Sequence, residues 1–321
     1  MNNIILDKDI LKNSLADKKI GVIGYGNQGR AQALNLEDSG LRVRIGLREN
    51  SKSIERVEAD NLDWGDITSV VKWSNLICLM VPDKIASKIF KKYIIDNLVS
   101  GDTLLFSHGY NIYYKLIIPP TYINIIMVAP SGGGKIVREE YQKGYGVPAL
   151  IAVHQEFSND VWDICKSYGK AIGSSKVCLF KSTFKEETET DIFGEQAILT
   201  GGLPFLINAA YNVLIDKGYN STVAWFVCYY EIKTIVDLFH KKGFGEFYSM
   251  ISDTARFGGI SKGKILIDNN FKDKLNLIIK DIQSGSFNDE LSNHLDNHKL
   301  DESFSNIEKE TKKIINILNK E

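Results

Sequence analysis

The sequence predicts an α/β N-terminal domain with a mostly parallel sheet, followed by an all-α C-terminal domain, and three observations carry that prediction. Short β-rich runs alternate with helix-like segments from Lys19 to about Phe180, the pattern of strands joined by crossover helices. After Ser182, apolar residues recur at spacings of three and four over long windows, which is the period of helices. The 321 residues exceed the ~100–200 usual for one domain. The division is expected at residues 1–182 and 183–321.

Seven runs read as strands: Ile20–Gly24, Arg42–Leu47, Leu76–Val81, Thr103–Ser107, Ile123–Val128, Ala149–His154 and Val177–Phe180. Several, such as Leu76–Val81, are apolar at successive positions, as expected of parallel strands covered on both faces. Five helical windows follow, at 184–200, 203–217, 221–241, 272–284 and 304–319. The last carries Ile307, Ile314, Ile315 and Leu318 among Lys and Glu, an amphipathic helix that docks on the body rather than on a membrane.

Composition narrows the function. With 39 Lys+Arg against 40 Asp+Glu there is no global field to hold nucleic acid or an anionic membrane. Four cysteines lack close pairs, and Cys78 and Cys178 sit in apolar runs that read as buried strands, a pattern of reducing compartments. No run of ~18 apolar residues is evident. A cytoplasmic protein with a small-molecule substrate, and no nucleic-acid or membrane partner, is expected.

The most specific local signal is Gly24-Tyr25-Gly26-Asn27-Gln28-Gly29, placed directly after a strand and before the helix-like Arg30–Leu36. Gly24 permits the tight turn, Gly26 lets backbone approach a pyrophosphate, and Gly29 lets helix pack on strand, so that N-terminal N–H groups face the anion. The next strand ends without the acidic residue that would bind a ribose 2′-hydroxyl. It offers Arg48, Ser51 and Ser53 instead, a cation and hydroxyls suited to a 2′-phosphate and hence to NADPH. A second glycine run, Ser131–Lys135, lacks the Gly and the Ser or Thr of a phosphate-binding P-loop, since positions 129 and 136 hold Ala and Ile. It reads as a loop at the carboxyl edge of the sheet, where Gly134 joins the cofactor-binding residues.

Glu187, Asp191 and Glu195 lie four apart and share one helix face. Like charges at that spacing repel, so the face calls for a cation, a protonated member or open solvent. Glu231 lies among Phe226, Val227, Ile232, Ile235 and Val236, where a carboxylate needs a partner. If it faced Asp191 and Glu195, the three would suit Mg²⁺, a hard cation with hard oxygen ligands. His108 follows the Thr103–Ser107 strand, at the edge where a nicotinamide would lie, and is a candidate general acid or base.

From about Leu11 to Phe287 the chain resembles ketol-acid reductoisomerase of the short-chain class. The resemblance rests on residues 23–29 with Ala33–Leu36, Gly46-Leu47-Arg48, His108–Ile112, Gly146–Val153, Phe184–Gln196 and Asp281–Gly285. It implies an NADPH-binding Rossmann domain and a knotted helical domain that dimerises or assembles further, with an active site shared between subunits. It implies that one or two Mg²⁺ ions are held by Asp191, Glu195 and Glu231, and that His108, Glu195 and a lysine act in catalysis. Ser252, with Glu231, matches the contacts to substrate, a small branched 2-keto or acetohydroxy acid.

Two departures accompany the match. Phe226-Val227-Cys228-Tyr229-Tyr230-Glu231 stands where the family has Phe-Glu-Cys-x-x-Glu, so Val227 replaces a carboxylate. Ser131-Gly132-Gly133-Gly134-Lys135 stands where it has Lys-Gly-Pro-Gly-His, leaving Lys135 as the nearest ammonium. Alkyl migration needs cations to organise a bridging alkoxide, whereas reduction needs hydride geometry, one Lewis acid and a proton source. The leading expectation is therefore an NADPH-dependent, Mg²⁺-assisted oxidoreductase of this type. The alternatives are a keto- or imino-acid reductase without alkyl migration, and a non-catalytic NADPH-binding paralogue.

Overall fold

The computed structural model describes residues 3–294 and 301–318. The chain divides into two compact units, Met1–Thr190 and Asp191–Glu321, and the division falls inside a helix.

In the first unit the described residues form one nine-stranded sheet: β1 (Ile4–Ile5), β2 (Lys19–Ile23), β3 (Arg42–Leu47), β4 (Trp64–Asp66), β5 (Leu76–Leu79), β6 (Thr103–Phe106), β7 (Asn124–Pro130), β8 (Ala149–Gln155) and β9 (Leu179–Lys181), in the order β1-β9-β8-β7-β6-β5-β2-β3-β4. Its helices are α1 (Asn27–Asp38), α2 (Ile54–Ala59), α3 (Ile67–Trp73), α4 (Asp83–Ile89), α5 (Tyr110–Tyr113), α6 (Gly134–Gln142) and α7 (Val161–Ala171). The six strands from β4 to β7 are mutually parallel. Chain order runs outward in both directions from the β2/β5 pair, so the crevice beyond the carboxyl ends of β2 and β5 is the topological switch point where ligands bind.

Each central strand alternates its side chains between two cores. Cys78 and Leu105 pack on one face with Ile20, Val22 and Tyr168. Ile77, Leu79, Leu104 and Phe106 pack on the other with Ile23 and Met127. All four residues of β5 and of β6 are buried, which is why their sequences are apolar throughout.

The sheet is mostly parallel, as the sequence predicts, and departs from parallel at one flank. β8 runs antiparallel to β7, and β1 antiparallel to β9. The α6 segment between β7 and β8 has the length of a crossover, yet it returns the chain to the same edge. β1 and β4, of two and three residues, are too short for any periodicity to reveal. Cys178 lies outside the strands and is only half-buried, because β9 begins one residue later.

The helix α8 (Phe184–Gly194) continues as one π turn, Glu195–Leu199, and α9 (Gly202–Asp216) follows. By length and composition the stretch Phe184–Asp216 is long and apolar enough to cross a membrane, contrary to the sequence expectation. Its charges cluster at one end, so an 18-residue window escapes them. The second unit goes on with α10 (Ser221–Trp225) and a π turn Phe226–Tyr230, then α11 (Ile232–Met250), α12 (Asp253–Leu266), α13 (Asn269–Ser284), α14 (Ser286–Asn293) and α15 (Ser305–Leu318). The single helix expected at 221–241 is present with a π turn inside it, and α11 kinks later at Gly243, whose φ is 73°. Residue 319 of the expected last helix lies outside the described residues. A small core of Tyr211, Ala224, Trp225 and Ile307 ties α9, α10 and α15 together.

Candidate functional site

The glycine turn after β2 does what its sequence requires. Gly24 has φ 98°, and a Cβ there would stand 2.6 Å from the Met80 carbonyl oxygen. A Cβ on Gly29 would stand 2.5 Å from the Gly24 carbonyl oxygen, so helix and turn touch. A Cβ on Gly26 would meet nothing within 4 Å. That open side, at the N-terminus of α1, is where an anion can reach backbone N–H groups. Tyr25 is buried, and its hydroxyl donates to Asp60 Oδ2 at 2.7 Å. Burial, reinforced by Asp60, pushes that phenol far above its ordinary range. Arg30 grips both oxygens of Asp60 at 2.6 and 2.7 Å, which holds the Asp60 carboxyl below its usual range. The side chain of Tyr25 therefore anchors the turn.

Three cavities surround the turn. One of about 170 Å³ beyond β3 is lined by Gly24, Tyr25, Arg48, Ser51 and Ser53 together with an apolar wall including Ile67, Ile85 and Ile89. An apolar slot with a guanidinium and two hydroxyls at its edge fits an adenine ring and a 2′-phosphate. A second, about 380 Å³, is lined by Gly26, Asn27, Gly134 and Lys135 with Arg30, Arg56 and Arg138. Gly134 opens α6 against the Asn27 carbonyl, which a Cβ would meet at 2.0 Å, and Gln28 Nε2 donates to the Gly132 carbonyl at 2.8 Å. The glycine loop thus clasps the start of α1.

The third cavity, about 280 Å³, lies past β5 and β6 and is lined by Gly26, Asn27, Gln28, Asp83, Ser107, His108 and Asn111 among others. His108 is held by a residue that sequence reasoning left outside the site. Glu187 Oε1 lies 2.9 Å from His108 Nδ1, and Glu187 Oε2 accepts from the Gly109 N–H at 2.8 Å. Glu187 itself is 2% exposed. A Cβ on Gly109 would stand 2.5 Å from Thr188 Oγ1 and 2.7 Å from the Phe184 carbonyl oxygen, so only glycine admits α8 this close. A carboxylate only accepts, so in a neutral imidazole the contact makes Nδ1 the N–H nitrogen. Sequence showed Glu187 on the face of Asp191 and Glu195, but its partner is 79 residues away.

Lys135 stands elsewhere. It lines the cavity of Gly134 rather than that of His108, is 86% exposed and lies 3.7 Å from Glu139. The sequence put it forward as a catalytic ammonium; its position puts it beside the dinucleotide turn.

Asp191 and Glu195 lie on α8 and its π turn, one and two turns beyond Glu187, and both are exposed. Glu231 caps the π turn before α11 and is exposed too, correcting the expectation of apolar enclosure. Phe226 and Val227 beside it are each 45% exposed, so the apolar neighbourhood exists but is uncovered. Among the described residues Asp191, Glu195 and Glu231 form no cluster within one protomer. Their donor chemistry fits Mg²⁺, but one chain does not assemble the set. Ser252 is exposed at the N-cap of α12, its Oγ accepting from the Ala255 N–H at 3.2 Å.

Residues 14–178 match the family described as acetohydroxy acid isomeroreductase, NADPH-binding domain, and residues 184–318 match the ketol-acid reductoisomerase C-terminal domain. The chain belongs to the ketol-acid reductoisomerase family. A ketol-acid reductoisomerase (NADP(+)) of Petrotoga mobilis is 44% identical over 281 residues, 88% of this chain and 85% of the relative. That of Chloroherpeton thalassium is 43% identical over 273 residues, 85% of this chain and 81% of the relative. Among solved structures, an NADH-preferring ketol-acid reductoisomerase from an uncultured archean superposes with a TM-score of 0.86 at 36% identity, covering 90% of this chain and 89% of that one. This reductoisomerase chain is thus an NADPH-dependent oxidoreductase with a Rossmann-type first domain and a helical second domain.

Proposed function

We propose that the enzyme reduces a small branched 2-keto or acetohydroxy acid with NADPH, assisted by Mg²⁺, in the cytoplasm. The observation that carries this reading is the reach of α8: Glu187 holds His108 at the mouth of the nucleotide crevice, and Asp191 and Glu195 follow on the same helix.

Arg48, Ser51 and Ser53 take the 2′-phosphate, and Gly26 and the first amides of α1 take the pyrophosphate. His108, which lines that cavity and is steadied by Glu187, holds or moves a proton at Nε2. Asp191 and Glu195 hold Mg²⁺, with Glu231 supplied by a second copy of the chain, since one protomer does not bring the three together. When bound, Mg²⁺ supplies Lewis-acid polarisation of the substrate's oxygens. Ser252 contacts the substrate carboxylate. The exposed apolar side chains around Glu231, including Phe226, Val227 and Tyr230, support a homodimer as the smallest active form.

A second reading, reduction without alkyl migration, is favoured by Val227, which stands one turn before Glu231 and offers no oxygen ligand. Assay with 2-acetolactate and with 3-hydroxy-3-methyl-2-oxobutanoate separates the two. A full reductoisomerase oxidises NADPH with both, a reductase alone only with the second, and oxidation with neither overturns the proposal.

A further inference from the structure

A chain of hydrogen bonds runs from a phenol in the core on one face of the sheet to the glycine loop. Tyr168, in α7, and Gln32, in α1, are both 0% exposed. Tyr168 OH donates to Gln32 Oε1 at 2.9 Å, and Gln32 Nε2 donates to Gln28 Oε1 at 3.1 Å and to Ser107 Oγ at 2.8 Å. Gln28 Nε2 donates in turn to the Gly132 carbonyl oxygen at 2.8 Å.

The polarity of this chain is set at its loop end. A carbonyl oxygen only accepts, so Gln28 must turn its NH₂ to Gly132 and its oxygen back to Gln32. Gln32 must then offer its own NH₂, which leaves its oxygen facing α7, and the group it meets there has to be a donor. Tyr168 is that donor. Burial pushes its phenol well above the ordinary range, so the hydroxyl keeps its proton. Without it the Gln32 oxygen would be a buried acceptor with no partner. The amide leaves that state only by swinging away, and the hydrogens it gives to Gln28 and Ser107 go with it.

The loop end of the chain lies at the dinucleotide turn. Gly134, two residues beyond Gly132, lines the cavity of Gly26 and Asn27 on the pyrophosphate side. Tyr168 lines none of the three cavities around the turn, so whatever it does for the cofactor it does through the two glutamines.

We propose that Tyr168 and Gln32 are positioning residues for the cofactor: through Gln28 they hold the glycine loop against the start of α1, and so set how tightly the pyrophosphate of NADPH is retained. The inference rests on the NADPH reading above.

A double-mutant cycle on the full chain, read by calorimetric titration with NADPH and with adenosine 2′-monophosphate, which lacks the pyrophosphate, tests it. Tyr168→Phe removes one hydroxyl and should bind NADPH roughly three- to tenfold more weakly than the wild type, while adenosine 2′-monophosphate binds as before. Gln28→Ala should also weaken NADPH, and the double variant should bind it no more weakly than Gln28→Ala alone, because the phenol has no other route to the loop. Gln32→Met cuts the chain at its middle and should repeat the pattern of Tyr168→Phe, which keeps the test open if that variant does not fold. Unchanged NADPH affinity in Tyr168→Phe, losses that add in the double variant, or an equal loss toward adenosine 2′-monophosphate each overturn the inference, the last two by reducing Tyr168 to general support of the fold. Failure of the wild type to bind NADPH overturns the NADPH reading itself, and this inference with it.

Discussion

Glu187→Gln keeps the shape of the side chain and removes the charge that holds His108 Nδ1–H. General acid–base work contributes about 10²–10⁴ in rate, so kcat should fall by roughly a hundredfold or more while NADPH titrates as before; an unchanged kcat would remove His108 from proton transfer. The glycine turn separates folding from binding in the same way. Gly24→Ala places a Cβ against the Met80 carbonyl at positive φ, at a cost of about 1–3 kcal/mol, and should lower the thermal midpoint by several degrees. Gly26→Ala points into open space, so it should leave the midpoint alone and weaken NADPH in a binding titration. Residues whose role is local were legible in the sequence, as Gly24, Gly26 and Gly29 show, since turn, approach and packing are decided within six positions. Glu187 was not, because its task depends on a loop brought to it by the sheet.

At the scale of elements, α15 is fastened to α10 by polar contacts in which Glu310 is the hub. Its carboxylate accepts from Thr222 Oγ1 at 2.7 Å, Ser221 Oγ at 3.1 Å and Lys313 Nζ at 2.9 Å, and nearby Trp225 Nε1 donates to Thr311 Oγ1 at 2.8 Å. The Lys313 contact, then those of Thr222 and Ser221, holds the Glu310 carboxyl below its ordinary 4.5. A carboxylate depressed in the folded state contributes stability that is fully present above its unfolded value and lost as pH falls through the folded one. Glu310→Gln should thus destabilise the helical unit at pH 7 in a urea titration, and the difference from wild type should vanish well below pH 4.5; a pH-independent difference would contradict it. The long strands and helices were readable because their periods are sustained. The antiparallel turn of β8 was not, because a helix between two strands reads as a crossover whichever way the chain returns. α12 was hidden by Gly258, Gly259 and Gly263, which dilute its apolar period.

At the scale of the molecule, the second unit leaves large apolar side chains uncovered in one protomer, among them Phe205 at 52%, Phe244 at 66% and Phe257 at 77%. Such a surface calls for a partner, and in the proposed reading so does Glu231, which among the described residues forms no cluster with Asp191 and Glu195. Sequence could name Asp191, Glu195 and Glu231 but not their arrangement, which in the proposed reading depends on the pairing of chains. The account's central claim is that hydride from the glycine-turn cofactor is delivered at a cation site completed by a second copy. Its most direct test is a purified heterodimer of Glu195→Gln and Glu231→Gln chains, each inactive alone, co-expressed with different tags. The account predicts roughly half the wild-type NADPH oxidation with 3-hydroxy-3-methyl-2-oxobutanoate, because one of the two shared sites keeps every ligand. A heterodimer as inactive as its parents would contradict it.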